Sequence, residues 1–322
     1  MSDFNFFSDN KYIILPTKSW PKVFLSITKK DRKNSFKLYQ PFSFKAKLLK
    51  TIAFYFPYFN IVKKDESAFV KHLDNRFNKS FTSSLYFATD KNKVIIQLQE
   101  NSNIFGYLKI GVTNKGNEKI KHEINAINIL HNINPIKLID QGVFEGYEYF
   151  ITEELKGNIG FLSEEKIKYV LKRLERETAF PFQKHPRVLQ IKKGLERIQI
   201  EKYLQIFSSI VISEKLKLVY EHGDFTPWNI ADNDNNIKMF DLEYFTEDGL
   251  EHFDLIKYFY QIEILLNKSP ASNLIEVILS KLDCHYNKEL FTLFLLKEIV
   301  IKKDEGLSIN KENELLNIIL VR

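Results

Sequence analysis

Two segments in the second half of the chain combine residue types that phosphoryl transfer requires. The first reads H-G-D-x-x-x-x-N and places His222, Asp224 and Asn229 at its fixed positions; the second is an apolar run ending in D-x-E, with Asp241 and Glu243. Phosphoryl transfer needs a carboxylate that orients and deprotonates the attacking hydroxyl, and oxygen ligands that hold Mg²⁺ against the triphosphate. An Asp on a tight loop, an Asn shortly after it and an Asp beyond the next hairpin can converge on one point.

Each segment is predicted to lie at the end of a strand, at 216–221 and 237–241. Because paired strands are rigid, they would fix the separation of the two loops. The alternative is ordinary turn chemistry: an Asx-rich turn at Asp224 and Asn229, and a strand-terminating residue at Asp241. The four fixed letters are expected by chance on the order of once in a thousand such sequences, which favours the chemical interpretation.

The H-G-D-x-x-x-x-N segment resembles the catalytic loop of the aminoglycoside phosphotransferase and choline kinase superfamily, which has a two-lobed protein-kinase-like fold. The run F-D-L-E-Y is similar to the metal-binding I-D-x-E segment of that family. The resemblance implies Asp224 as the catalytic base, Asn229 and Asp241 as Mg²⁺ ligands, and His222 as a structural part of the loop. It leaves Glu243 either as support for the metal site or as a surface carboxylate.

The D-x-E form is typical of the small-molecule kinase branch, since protein kinases carry D-F-G at this position. The run H-F-D-L at 252–255 resembles the helix that follows the metal segment in the same branch. The resemblance therefore implies an ATP- and Mg²⁺-dependent enzyme that phosphorylates a hydroxyl group of a small molecule. A sugar or glycan precursor is the preferred acceptor. An aminoglycoside or choline would instead need an acidic pocket. The candidates are Glu164, Glu165, Glu175, Glu247, Asp248 and Glu251. The alternative, which we favour, is that these side chains lie on solvated helix faces.

Upstream residues are assigned by the same resemblance. Lys109, on a predicted strand, matches the lysine that neutralises the α- and β-phosphates. Its carboxylate partner is expected on the following helix, where Glu123 fits the pattern and Glu118 is the alternative. The segment expected to bind adenine through its backbone, as the hinge between the lobes, is Thr152, Glu153, Glu154 and Leu155.

The expected nucleotide-covering loop, 88–93, contains no glycine. Glycine normally lets backbone N–H groups approach phosphate closely, so its absence lowers the expected nucleotide affinity. A nucleotide-binding pseudokinase or scaffold is therefore the alternative function. The G-x-G-x-x-G dinucleotide fingerprint and the P-loop are both absent from the sequence.

The pattern of the whole chain predicts an α+β fold. Residues 1–80 form a basic, aromatic-rich extension packed on the N-lobe; 81–155 form the β-rich N-lobe with one helix; 156–322 form the helical C-lobe. The helices predicted for the C-lobe are 163–177, 187–212, 252–267, 271–283, 287–302 and 311–321.

The net charge of +6 comes from the first part of the chain. Residues 1–65 hold 13 basic and 4 acidic side chains, together with 15 of the 45 aromatic residues, and a helix is predicted over Ser43–Phe56. Such a helix could lie on an anionic membrane surface. The alternative, which we favour, is that the aromatic residues of the extension belong to the core of the N-lobe and its lysines are solvated.

Composition excludes several other classes of protein. A single cysteine, Cys284, excludes an internal disulfide and a cysteine-based zinc site. Only 7 of the 47 basic residues are arginine, which argues against specific nucleic-acid recognition. The first residues do not have the pattern of a secretory signal, so we expect a cytoplasmic protein, with peripheral contact to the membrane as the alternative. The sequence does not indicate an oligomeric state.

Overall fold

The computed structural model describes residues 5–15, 22–27, 31–42, 44–56, 61–87, 91–233 and 236–321. The chain divides into two compact units, Met1–Gly157 and Asn158–Arg322. The first unit is rich in β-strands and the second is mostly helical, which confirms the α+β prediction. No helix within the described ranges is long and apolar enough to cross a membrane.

The first unit is built around one antiparallel sheet. Its strands are β1 (Asn10–Leu15), β2 (Lys22–Ser26), β3 (Ile61–Lys64), β4 (Thr82–Phe87), β5 (Lys93–Glu100), β6 (Asn103–Gly111), β7 (Leu138–Phe144) and β8 (Tyr147–Thr152). In the described part of the chain these eight strands are ordered β3-β1-β2-β4-β5-β6-β8-β7. The helices are α1 (Arg32–Ser35), α2 (Phe44–Tyr55), α3 (Ala68–Phe77) and α4 (Asn114–Ile129).

The predicted extension 1–80 is part of this sheet and does not only pack against it. Strand β2 pairs with β4, with Val23 opposite Tyr86, so three strands of the extension continue the sheet beyond β4. Phe6 packs edge-to-face on Phe69 of α3, with ring centroids 5.4 Å apart. Both rings belong to the buried core that also contains residues of strands β4 to β6 and β8.

The favoured expectation that the aromatic residues of the extension belong to the core is only partly correct. Phe6 is buried, but Phe44, Tyr55 and Phe56 are exposed.

The second unit contains two small antiparallel sheets and a helical core. Its strands are β9 (Asn158–Ile159), β10 (Glu175–Pro181), β11 (Lys215–Glu221), β12 (Ile230–Asn233), β13 (Asn236–Met239) and β14 (Thr246–Leu250). Its helices are α5 (Glu164–Leu174), α6 (Pro186–Ile198), α7 (Glu201–Ser209), α8 (Phe253–Gln261), α9 (Ala271–Lys281), α10 (Asn287–Asp304) and α11 (Asn310–Val321). The sheet orders are β10-β11-β14 and β13-β12-β9.

Several predicted elements differ from those observed. The helix predicted over 163–177 ends at Leu174, because Glu175–Pro181 pairs with β11 as a strand. The helix predicted over 187–212 is divided into α6 and α7, since Gln199 adopts a left-handed conformation with φ of 54°. The last part of the helix predicted over 252–267 is a π-helical turn. Residues 88–90 of the glycine-free loop lie outside the described residues.

Candidate active site

The predicted catalytic loop connects β11 to β12 and is anchored by a buried carboxylate. The backbone N–H groups of His222 and Gly223 donate hydrogen bonds to the two oxygens of Asp254, at 2.7 and 3.0 Å. Asp254 lies in the first turn of α8. Burial and the nearby Glu221 carboxylate raise the pKa of Asp254 to about 6. The loop is therefore attached to a helix of the core by two backbone hydrogen bonds.

The imidazole of His222 links the loop to the second predicted segment. Its Nδ1 accepts a hydrogen bond from the backbone N–H of Asp224 at 3.3 Å, and its Nε2 lies 3.0 Å from the backbone oxygen of Phe240. These contacts require a proton on Nε2, which donates to the carbonyl, and a lone pair on Nδ1. His222 is buried. His222 begins the loop, and its contact with Phe240 therefore holds the segment that carries Asp241 close to the loop.

Gly223 has a conformation that other residues adopt only with strain. Its φ is 80°, and a Cβ at this position would lie 2.4 Å from the backbone oxygen of Tyr244. Both the left-handed backbone and the close approach of the two segments favour glycine. The G of the H-G-D motif is thus explained by the local geometry.

Asp224 and Asn229 contact each other directly. The amide nitrogen of Asn229 donates hydrogen bonds to Oδ2 of Asp224, at 2.9 Å, and to the backbone oxygen of Asp224, at 3.0 Å. Asn229 is buried at the end of the short 3₁₀ helix Pro227–Asn229, while Asp224 is partly exposed. Because its nitrogen is committed to Asp224, the side-chain oxygen of Asn229 is the atom that can bind a cation.

Asp241 follows β13 and lies in the left-handed region, with φ of 64°. The backbone N–H of the preceding residue, Phe240, donates to the backbone oxygen of Asn229 at 2.9 Å. The two predicted metal ligands therefore lie on directly paired segments. Across the described residues, no group of three or more His, Cys, Asp or Glu side chains has the arrangement of a metal site. Asn229 and Asp241 offer oxygen donors, which suit Mg²⁺ when phosphate and water complete the coordination.

Glu243, two residues after Asp241, is half-buried. It lies near Tyr244, whose hydroxyl donates to Oε1 of Glu305 at 2.6 Å. Burial and the negative charge of Glu243 raise the pKa of Tyr244, so this phenol stays neutral. The supporting role of Glu243 at the metal site stays a prediction.

A buried lysine faces the predicted catalytic carboxylate. Nζ of Lys257, on α8, lies 3.6 Å from Oδ1 of Asp224 and 2.9 Å from Oε2 of Glu298 on α10. Burial on its own lowers the pKa of Lys257, but the carboxylates of Glu298 and Asp224 outweigh this effect and raise it. Lys257 is therefore a permanent cation beside Asp224.

The same ion pairs continue into the core of the second unit. Glu298 also contacts Nζ of Lys297 at 3.3 Å, and Lys297 contacts Glu221 at 3.2 Å. Arg187 completes the series with a distance of 2.7 Å from Nη2 to Glu221. Positive and negative groups alternate along this buried chain from Arg187 to Asp224. Burial raises the pKa of Glu298, but Lys257 and Lys297 reverse the shift and lower it to about 2.

Lys257 and Glu298 are not among the site residues predicted from the sequence. Lys257 lies three residues after Asp254, just beyond the H-F-D-L run that resembles a family helix, so a signal was present. The sequence contains no comparable signal for Glu298, because a Lys-Glu pair on a helix normally indicates a solvated surface. Both side chains are buried in the structure.

In the first unit, Lys109 forms an ion pair with Glu123. Nζ of Lys109 on β6 lies 2.6 Å from Oε1 of Glu123 on α4, and both side chains are largely buried. The alternative partner, Glu118, is exposed. Helix α4 begins at the cap Thr113, whose hydroxyl accepts a hydrogen bond from the N–H of Gly116. One residue, Val112, separates this cap from the end of β6.

The predicted hinge residues lie at the end of β8 and immediately after it. The backbone N–H of Glu153 donates to the backbone oxygen of Lys137 at 3.1 Å. The carboxylate of Glu154 pairs with Lys37 at 2.9 Å, which ties this segment to the predicted extension. Thr152 and Leu155 are half-buried. Adenine binding by Thr152–Leu155 stays a prediction.

A surface pocket of the second unit contains two of the acidic residues considered for a cationic acceptor. Glu175 and Glu251 both line it. Glu175 already binds Lys172 and Lys217, each at 2.8 Å, and Glu251 accepts the backbone N–H of Lys217 at 2.8 Å. These acidic groups are occupied by interactions within the protein, so the pocket does not favour a cationic ligand.

Several solved structures are similar to this chain. An aminoglycoside-3′-phosphotransferase of type VIII is 12% identical, with 64% of this chain and 88% of that chain covered and a TM-score of 0.42. A type I macrolide 2′-phosphotransferase is 12% identical, with 77% and 93% covered and a TM-score of 0.46. A protein assigned as a fructosamine-3-kinase from Haemophilus somnus 129PT is 12% identical, with 78% and 96% covered and a TM-score of 0.46.

The names of these three proteins denote two small-molecule phosphotransferases and a kinase. No protein-family model and no curated protein matches the sequence. The residues of this chain and their geometry therefore carry the proposal that follows.

Proposed function

We propose that this protein is a phosphotransferase of the aminoglycoside phosphotransferase and choline kinase superfamily, which transfers the terminal phosphoryl group of ATP to a hydroxyl of a small molecule. The observation that carries the proposal is the arrangement at Asp224. Its carboxylate accepts a hydrogen bond from Asn229 at 2.9 Å and faces the ammonium of Lys257 at 3.6 Å. A carboxylate fixed on two sides and still partly exposed suits the task of orienting an acceptor hydroxyl.

In this proposal Asp224 is the catalytic base. It accepts a hydrogen bond from the acceptor hydroxyl and takes its proton as the oxygen attacks the terminal phosphorus of ATP, whose bond to the bridging oxygen breaks and releases ADP. Lys257 is a positioning residue, because its charge holds the carboxylate of Asp224 in one orientation. The ion pair between Lys257 and Glu298 in turn fixes the position of the ammonium. Catalysis depends mainly on positioning and on neutralisation of charge, as is general for phosphoryl transfer.

Mg²⁺ is the cation that the donor set fits. The side-chain oxygen of Asn229 and the carboxylate of Asp241 would hold it, on the segments joined by the Phe240–Asn229 backbone hydrogen bond. When bound, the ion would neutralise the charge of the phosphate oxygens. Glu243, in the turn two residues after Asp241, would support this site.

The ATP phosphates are assigned to Lys109. Its ion pair with Glu123 restricts the ammonium to one position, which reduces the entropy lost when phosphate binds. Adenine is assigned to the backbone of Thr152–Leu155. Use of ATP agrees with the expected cytoplasmic location.

A sugar or glycan precursor is the acceptor we favour. Glu175 and Glu251, two of the acidic candidates for binding a cationic acceptor, are already engaged by Lys217, which weakens the case for an aminoglycoside or choline. A neutral polyhydroxylated acceptor needs hydrogen-bonding groups more than negative charge.

The experiment is a screen of ATP consumption across sugars, amino alcohols, aminoglycosides and lipid-linked saccharides, with the Asp224→Ala protein as background. Turnover that requires both an acceptor and Asp224 supports the proposal. The acceptor class with the highest turnover then indicates the class of substrate. Calorimetric titration with Mg·ATP accompanies the screen. Nucleotide binding without turnover for any acceptor would indicate a pseudokinase, and no nucleotide binding at millimolar concentration would reject both functions.

A further inference from the structure

Helix α2 exposes a large apolar surface. Six large side chains on it or directly after it are between 37% and 80% exposed: Phe44, Leu48, Leu49, Ile52, Tyr55 and Phe56. Ala53 is the one residue of this helix that is fully buried. A folded protein rarely leaves so many neighbouring apolar side chains in water without a use for them.

The exposed apolar residues share one side of the helix. At about 100° per residue they fall within an arc of roughly 140°. Ala53 and Phe54 lie on the opposite side, where Phe54 packs on the ring of Phe36 at 5.2 Å and on the guanidinium of Arg32 at 5.1 Å. One face of α2 therefore attaches the helix to the first unit, and the other presents apolar side chains to the surroundings.

The charge around this face is positive. Helix α2 contains Lys45, Lys47 and Lys50 and no acidic residue. Lys45 and Lys47 are exposed, and Lys45 lies within the apolar arc. Residues 1–65 as a whole carry 13 basic against 4 acidic side chains. Burial lowers the pKa of Lys50, which is the lysine nearest to the attached side.

We propose that α2 binds in the plane of an anionic lipid bilayer, with the apolar arc in the interfacial region and the lysines at the phosphate level. Twelve residues extend about 18 Å, too short to cross a hydrocarbon core of roughly 30 Å. Aromatic side chains at both ends of the face, Phe44 and Tyr55, are typical of helices that lie at the interface.

Charge distinguishes the bilayer from a second copy of this chain. Two copies joined through this face would bring the lysines of both helices together, and like charges at a close contact oppose association. A lysine within an apolar arc can instead extend its ammonium toward lipid phosphate while its methylene groups stay in apolar surroundings. This proposal concerns recruitment to a surface and does not depend on the proposed kinase activity.

The test is co-sedimentation of the full chain with vesicles of phosphatidylcholine alone and of phosphatidylcholine with about a third phosphatidylglycerol. A triple variant, Phe44→Ser, Leu48→Ser and Ile52→Ser, removes apolar contacts from exposed positions. A second variant, Lys45→Gln with Lys47→Gln, removes charge. The matched control replaces exposed apolar residues elsewhere, Val143→Ser with Val211→Ser. Circular dichroism and thermal unfolding verify that each variant is folded.

We expect binding to the anionic vesicles, weakened by salt and much weaker on phosphatidylcholine alone. The lysine variant should lose roughly 30-fold in vesicle affinity at low salt, and the triple variant roughly 100-fold or more, while the control keeps the affinity of the native chain. Absence of binding to anionic vesicles, or equal binding by a folded triple variant, would overturn the proposal. So would a dimer in sedimentation-velocity experiments that the triple variant converts to a monomer.

Discussion

The ammonium nitrogen of Lys257 lies 3.6 Å from Oδ1 of Asp224, so a buried cation on α8 faces the carboxylate of the proposed base. The same nitrogen lies 2.9 Å from Oε2 of Glu298 on α10. One lysine thus connects the proposed base on the loop to helix α10 of the core. The two contacts have different expected roles: the one to Glu298 concerns stability, and the one to Asp224 concerns catalysis.

Lys257→Met should reduce both properties. Without the ammonium of Lys257, the buried carboxylate of Glu298 keeps only its ion pair with Lys297. This loss should lower the free energy of unfolding by about 3 kcal/mol or more. Turnover should fall by roughly 10-fold to 100-fold, because Asp224 loses the contact that orients it. Chemical denaturation and steady-state kinetics measure the two effects.

The double variant Lys257→Met with Glu298→Met separates the two roles. Replacing a buried ion pair by apolar residues of similar size is often neutral for stability, so most of the unfolding free energy should return. Turnover should stay low, since Asp224 still lacks its partner. Recovery of turnover together with stability would show that Lys257 is only a structural residue.

Gly223→Ala tests the geometry of the loop. The residue has φ of 80° and its Cβ would lie 2.4 Å from the oxygen of Tyr244, so both strain and a clash should destabilise the protein, by about 2 kcal/mol or more. Gly146→Ala is the matched control, because Gly146 has φ of 85° with nothing within 4 Å of its Cβ. It should lose only about 1 kcal/mol. Equal losses in thermal or denaturant unfolding would refute the close approach.

Lys109→Met tests the assignment of the phosphate-binding cation. Loss of the ammonium should raise the KM for ATP by roughly 10-fold or more, with turnover also reduced. Glu123→Gln should give a smaller effect in the same direction, since it releases Lys109 from its position. The control is Lys121→Met, which lies on α4 like Glu123 and loses an ion pair with Glu148 on β8. The assignment is wrong if Lys109→Met and Lys121→Met have the same KM for ATP.

The part of the site that is contiguous in sequence could be predicted from it. His222, Asp224 and Asn229 lie within one turn-forming loop, so their spacing alone brings them together, and the structure adds the hydrogen bonds that hold them. The lysine that faces Asp224 could not be found in this way. Its second partner, Glu298, is 41 residues further along the chain, and only the packing of α8 against α10 brings them into contact.

The same distinction holds for the fold. Helix α2 is predicted over Ser43–Phe56 from its helical spacing of apolar residues and is observed at Phe44–Tyr55. The first three residues of strand β10, 175–177, are predicted as the end of the helix 163–177, because the segment Glu175–Pro181 is polar and lacks alternation. Its pairing with β11 is a tertiary interaction that overrides local preference.

The stability of the protein should depend on pH through Asp254. Its pKa is about 6 in the folded state against an ordinary 3.8, so between these values the folded state binds more protons than the unfolded state. The unfolding free energy therefore decreases as the pH rises through this window, by about 3 kcal/mol from this group. Denaturant unfolding from pH 4 to pH 7 measures the decrease, which Asp254→Asn should remove.

Asp283→Asn, at an exposed aspartate, is the control and should leave the decrease intact. Glu298 contributes in the opposite sense but at lower pH. Its pKa is lowered to about 2, so its stabilising contribution is lost as the pH falls from about 4.5 toward 2. Parallel stability curves for the native chain and Asp254→Asn between pH 4 and pH 7 would contradict the assignment.

Asp224 is the proposed base for transfer of the terminal phosphoryl group of ATP to a hydroxyl. The most direct measurement compares the native chain, Asp224→Asn and the control Asp283→Asn for transfer of labelled terminal phosphate to the best acceptor, with Mg·ATP binding measured by calorimetry. We expect Asp224→Asn to bind Mg·ATP within about 3-fold of the native chain while its turnover falls by about 10² to 10⁴. Unchanged turnover in Asp224→Asn would contradict it.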